Sequence, residues 1–172
     1  MPNDSATGVA MRDARQQLFD AAERVLLRGG PNALTSRAVT TEAGCAKGVL
    51  HRHFADFDAF LAELVQDRIA RIEAQADALR ASTGTVADNL TAALTDLFTP
   101  LAVAIVGLVT FRDDLRARLR ETRPTGVPLL TEAAAMIASY LATERDRGRL
   151  APDAVRKVVT TVMTSTLRPP PS

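Results

Sequence analysis

Apolar residues recur along this chain at helical spacing and almost nowhere at the alternation of a strand. Leu18, Phe19, Ala22, Val25 and Leu26 fall at i, i+1, i+4, i+7 and i+8, one face of a helix that Gly29, Gly30 and Pro31 end. Thr35 is placed to cap a short helix through Arg37, Ala38 and Val39, which stops at Ala43 and Gly44, where glycine permits a tight turn. A third short helix follows from about Ala46 to Phe54. Asp56 then caps a long helix with Phe57, Phe60, Leu61, Leu64, Val65, Ile69, Ile72 and Leu79 on its apolar face. Unbroken to Ala81, it would span ~37 Å.

Beyond it, T-V-A-D from Thr85 has the spacing of a capping box with Asp in place of Glu, and opens a helix through Leu90, Leu94 and Leu97 that Pro100 kinks or ends. The pattern predicts a further helix over Val103 to Leu108 and a polar one over Arg112 to Arg120. TRPTGVP at 122–128 reads as a loop, with Pro128 as the first residue of a helix carrying Leu130, Ala133, Ile137, Tyr140 and Leu141. Gly148 stops that helix, and Val155, Val158, Val159, Val162 and Thr166 form a last pattern before RPPPS. The expectation is an all-α protein: a flexible N-terminus over 1–10, a small three-helix head over 11–56, a helical body over 57–168 and a proline-rich tail over 169–172.

Composition agrees. Of 172 residues, 47% are hydrophobic and 24% charged, a globular balance rather than a disordered one. The net charge of +1 excludes a chain-wide polyanion-binding surface. Charge is uneven, however: from Arg12 to Arg52 there are seven basic residues against four acidic ones. A single cysteine builds no disulfide framework, and MPNDSATGVAMRDAR lacks the apolar run of a secretion signal, so the expected location is intracellular. LFTPLAVAIVGLVT at 97–110 is shorter than the ~20 residues of a bilayer span and contains Pro100 and Gly107; it reads as buried interior.

The chemistry concentrates in EAGCAKGVLHRHF, residues 42–54, which holds the only cysteine, both histidines and one of two lysines. His51 and His53, two apart, project roughly 200° apart on a helix and cannot share an ion. Cys45 has no partner that completes a metal set, and no base oriented by a third group that would make it a nucleophile. No Gly-rich phosphate loop or G-x-S-x-G occurs elsewhere, so neither an enzyme nor a cofactor is expected. What the stretch does supply is two short helices joined by a glycine turn, the second carrying Lys47, His51, Arg52 and His53, with Val49, Leu50 and Phe54 as apolar anchors. That is the layout of a helix-turn-helix, whose second helix enters the major groove while the first crosses the backbone. A plain helical hairpin with a solvated charged face fits the pattern alone equally well.

LFDAAERVLLRGGPNALTSRAVTTEAGCAKGVLHRHFADFDAFLAEL, residues 18–64, resembles the DNA-binding head of the tetracycline-repressor (TetR) family of bacterial transcriptional regulators. GVPLLTEAAAMIASYLATERDRGRLAPDAV, 126–155, resembles the body of many members. The resemblance implies a cytoplasmic homodimer that places each third helix in a major groove of a palindromic double-stranded operator. Thr35, Ser36 and Arg37 would touch backbone or base from the second helix. Lys47, Gly48 and Val49 would approach the bases, with Ala46 at the cap position of the same DNA-binding helix, His51 and His53 would hold phosphates, and Arg52 would make a phosphate or flanking contact. It further implies repression relieved by a small molecule that enters the body, with Phe98, Phe111, Met136 and Tyr140 as candidate lining.

Four departures from the family pattern stand out. His51 replaces a usual tyrosine and adds a charge that titrates near its unperturbed pKa of ~6.5. Ala46 replaces a Ser or Thr cap worth about 1 kcal/mol, and Phe57 replaces a lysine near DNA, which implies a shallower salt dependence. One C-terminal helix, about Asp153 to Leu167, stands where the family builds its dimer from two. These departures also leave open a helical interaction protein that keeps the head's fold without reading an operator.

Overall fold

The computed structural model describes residues 4–150, and among them all regular structure is helical: α1 (Asp4–Ala33), α2 (Ser36–Glu42), α3 (Lys47–His53), α4 (Phe57–Ala81), α5 (Val86–Leu97), α6 (Pro100–Phe111), α7 (Asp113–Thr122) and α8 (Leu130–Asp146). The expected last helix, the single C-terminal helix at about Asp153 to Leu167 and the proline-rich tail lie outside the described residues. At the other end α1 begins at Asp4, inside the stretch expected to be a flexible terminus. DSATGVA contains no proline, and lengthening an existing helix costs far less than starting one.

The boundaries follow local chemistry. Gly30 takes φ 71°, which breaks the helical backbone of α1 two residues after Arg28. Thr35 caps α2 by accepting from the Ala38 N–H at 3.2 Å, and Asp56 caps α4 by accepting from Ala59 at 2.6 Å. Thr85 caps α5, and its hydroxyl also donates to Asp88 at 2.6 Å. Thr99 caps α6 with Pro100 as its first residue, so the proline ends one helix and opens the next.

Pro128 does not begin α8 as the sequence suggests; α8 starts two residues later, after Leu129 adopts φ 73°. This left-handed turn buries the Leu129 side chain to 4% exposure, and the Glu132 carboxylate accepts its N–H at 2.7 Å. Burial and a charged acceptor thus outweigh the proline's preference for a first helical turn.

The core runs through both halves. In the head, α1 packs on α2, and Leu18, Phe19, Ala22, Leu26, Val39, Leu50 and Phe54 are all buried. Phe54 meets Phe19 at 5.8 Å and Phe60 edge-on at 5.0 Å between ring centroids. In the body, α4 packs against α5, α7 and α8, while α6 lies on α1. The segment 97–110 is not the uniform interior that its composition suggests. Ile105, Leu108 and Val109 are buried, but Phe98 is 68% and Val103 61% exposed. An all-round apolar helix has more than one apolar face, and contact with α1 covers only one of them.

Two arginines of α7 and its cap bind head to body. Arg112 donates to the Leu34 carbonyl at 2.9 Å, faces Asp58 at 3.6 Å and lies 5.6 Å over the Phe57 ring. Arg118 holds both oxygens of Asp56, at 2.9 and 3.2 Å. Phe57, stacked on Phe60, therefore serves packing at the position where the resemblance leads to the expectation of a lysine.

Candidate nucleic-acid interface

α2 and α3 are joined by a turn in which Gly44 takes φ 66° and Cys45 donates its N–H to the Thr40 carbonyl at 3.0 Å. The pair is anchored from inside. Leu50 and Val39 are completely buried, and the Thr40 hydroxyl is satisfied by the Ser36 and Arg37 carbonyls. These anchors leave the opposite faces of the two helices exposed.

Tertiary structure sorts the head's cations. Arg24 and Arg28 of α1 both bond Glu42 at the end of α2, at 2.8 and 2.7 Å. Their hydrogen bonds, Arg28's first, hold the Glu42 carboxyl below its ordinary range. Arg15 pairs with Glu63, donates to the His53 carbonyl and lies 4.5 Å over the Phe54 ring. Among the described residues Arg37, Lys47 and Arg52 enter no ion pair, and all three are exposed on the helix-turn-helix. The head's cations without a carboxylate partner are thus, among the described residues, those of the helix-turn-helix.

Other candidate contacts sit as follows. Thr35 is exposed, and since its oxygen accepts the cap bond, its hydroxyl proton remains free to donate. The Ser36 hydroxyl oxygen is buried without a partner, so its side chain is not on the surface as its neighbours' are. His51 is exposed, whereas His53 and Val49 are half-buried. Ala46 makes no side-chain cap, which leaves the first N–H groups of α3 uncovered. Gly48 is exposed, and a Cβ there would meet nothing within 4 Å. Neither backbone angle nor internal packing requires glycine at that position, which is consistent with close approach by something external.

The candidate effector residues are not brought together. Phe98 lines a cleft of about 390 Å³ between α4, α5, α6 and the start of α8. Met136 lines a separate cavity of about 180 Å³. Tyr140 is fully buried, with its hydroxyl accepting from Asn89 at 2.9 Å, and Phe111 is 79% exposed at the end of α6. The cleft instead takes Ile72, Val106 and Leu129 as apolar walls, with Arg68, Arg71 and Asp96 as its charged groups. The sequence pattern does not single out Arg68 or Arg71 among the polar positions of the long helix; the packing of α5 and α8 against α4 makes them cavity residues. Among the described residues no cluster of three metal-ligating side chains forms, and no single helix is long and apolar enough to cross a membrane.

A glycine-turned helix pair with exposed cations that have no carboxylate partner among the described residues, set on a helical body, is the architecture of a helix-turn-helix head. Residues 18–64 match the family model for bacterial regulatory proteins of the tetR family. No curated protein sequence matches the chain. Among solved structures, a TetR-family transcriptional regulator from Mesorhizobium loti aligns at TM-score 0.62 and 18% identity, covering 80% of this chain and 71% of that one. FadR from Bacillus subtilis, in complex with stearoyl-CoA, aligns at TM-score 0.56 and 18% identity over 89% of each chain. The head is of the TetR type, and the chain has the fold of TetR-family transcriptional regulators.

Proposed function

We propose that this chain is a sequence-specific DNA-binding regulator that acts as a cytoplasmic homodimer on a palindromic operator, without cofactor or enzymatic activity. The single observation that carries this reading is which cations lack a partner: among the described residues Arg37, Lys47 and Arg52 are exposed with no carboxylate, while Arg15 pairs with Glu63 and Arg24 and Arg28 share Glu42. In this reading Lys47, Gly48 and Val49 approach base edges, Thr35, Arg37, His51 and Arg52 hold the backbone, and the head spans 11–56 with the body from 57 onward.

The protein represses, and a small molecule in the body releases it. The body's cleft supports that part, as does the FadR relative crystallised with stearoyl-CoA. Ligand and operator then oppose each other with a coupling of roughly 1–3 kcal/mol.

The test is selection of sites from a random DNA pool at two salt concentrations. A recovered palindrome with half-sites about one turn apart supports the dimeric regulator. Recovery of nothing above background at low salt favours instead an interaction protein that has kept only the head's fold.

A further inference from the structure

The cleft beside α4 is walled mostly by apolar side chains, yet three charged groups line it: Arg68, Arg71 and Asp96. Such a trough suits an amphiphile, and the charges decide which sign of headgroup it takes. Arg71 is already held by Asp67 at 2.9 Å, one turn back on the same helix. Asp96 is exposed, so water and salt screen it. Arg68 is different: its side chain is only 20% exposed, and its partner lies in the head.

That partner is Glu23 of α1, 3.8 Å away. The pair lacks good geometry, because the Glu23 Oε1 that faces Arg68 is buried and accepts no hydrogen bond. Burial pushes the Glu23 carboxyl up from its ordinary range, against the pull of Arg68 and then Arg71. A buried carboxylate oxygen with an ion nearby but no donor is under-satisfied. An anion in the cleft can offer Arg68 the paired hydrogen bonds that Glu23 does not.

We propose that the cleft binds an anionic amphiphile, with its tail along the apolar walls and its headgroup on Arg68, and that Arg68 reaches the headgroup by giving up Glu23. Occupancy of the body thereby releases a tie between α4 and the head's first helix. The proposal deepens the ligand-responsive reading above and rests on it for its consequence at DNA, but its binding step is measured without DNA. Loss of operator recognition and loss of this site are therefore separately visible.

The experiment is calorimetric titration of the full chain with decanoate below its micelle concentration, and with decanol and decyltrimethylammonium as matched probes. Decanoate is expected to bind about tenfold more tightly than decanol, and Arg68→Gln to remove that advantage while leaving decanol unchanged. Glu23→Gln is expected to raise decanoate affinity severalfold, which a merely structural Glu23 would not do. If Arg68→Gln fails a thermal unfolding check, Arg68→Lys keeps the charge without the fork and is expected to bind decanoate with intermediate affinity. Equal affinity for decanoate and decanol, preference for the cation, or a Glu23→Gln variant that binds decanoate no better would each overturn the proposal.

Discussion

The head and the body are built from the same element, the amphipathic helix, but they finish differently. In the head every large apolar side chain on the inner faces of α1, α2 and α3 is buried apart from the half-buried Val49, and the exposed cations without a carboxylate partner, among the described residues, are those of α2 and α3. In the body α5 buries no residue completely, and Leu94, Phe98, Val103 and Leu130 stay 41–68% exposed. The head presents its spare capacity as charge and the body presents its own as apolar surface. A polyanion matches the first and an apolar partner the second.

The sharpest way to break this contrast is to truncate one aromatic in each half. Phe54→Ala removes a ring packed between Phe19, Phe60 and Arg15, and should cost about 3–5 kcal/mol in denaturant unfolding. Phe98→Ala, at 68% exposure, should stay within about 0.5 kcal/mol of the parent. Equal losses would mean that the body's apolar surface is as tightly packed as the head's.

Next in size is the head's charge. Arg37→Ala with Lys47→Ala should remove operator binding at physiological salt, and Arg37→Ala alone should lower the salt slope by about 0.9 for its one phosphate contact, with the unfolding curve unchanged in both. An unfolding curve that moved with the affinity would show these cations to be structural after all.

Smaller, and more discriminating, is Gly48→Ala. With open space around it, the added methyl should stabilise the head by about 0.5–1 kcal/mol through helix propensity, yet weaken DNA binding by obstructing close approach. Ala46→Ser should supply the missing cap of α3 and add about 1 kcal/mol without that penalty.

The smallest effect is pH dependence. Asp56 is held below its ordinary value of 3.8, first by the Ala59 N–H and then by Arg118, and Glu42 is held below 4.5 by Arg28 and Arg24. Depressed carboxyls contribute stability that is present above their unfolded values and lost as pH falls through the folded ones, so unfolding midpoints should drop below about pH 4. Glu23 runs the other way: its raised carboxyl binds protons better when folded and gains stability as pH falls toward 4.5. Glu23→Gln should therefore steepen the acid loss measured by thermal unfolding across that range.

Much of this molecule is determined locally. The caps at Thr35, Asp56, Thr85 and the glycine breaks at Gly30, Gly44 and Gly148 rest on one residue and its nearest backbone groups, and period 3.6 alone marks the buried positions Leu18 to Leu26 and Phe60 to Ile72. Helix boundaries and core faces are short-range quantities, so sequence suffices for them. The start of α8 escaped that logic because Leu129's burial, a long-range gain, overrode Pro128's local preference.

The functional surfaces divide along the same line. The order of short helix, glycine turn and basic helix makes residues 35–53 readable as a candidate interface. Which cations remain without a carboxylate partner is another matter: Arg24 and Arg28 look like Arg37 in the sequence and stay exposed as it does, and only the approach of α2's Glu42 to α1 gives them a counter-ion. Likewise Phe98, Phe111, Met136 and Tyr140 share apolar chemistry but end up in four different surroundings, while Arg68 becomes a cleft residue because α4 touches α1 on one side and α5 and α8 on the other. Helix identity follows from interactions a few residues apart, whereas pairing of charges and closure of a cavity require residues far apart in the chain to meet, and only the fold brings them together.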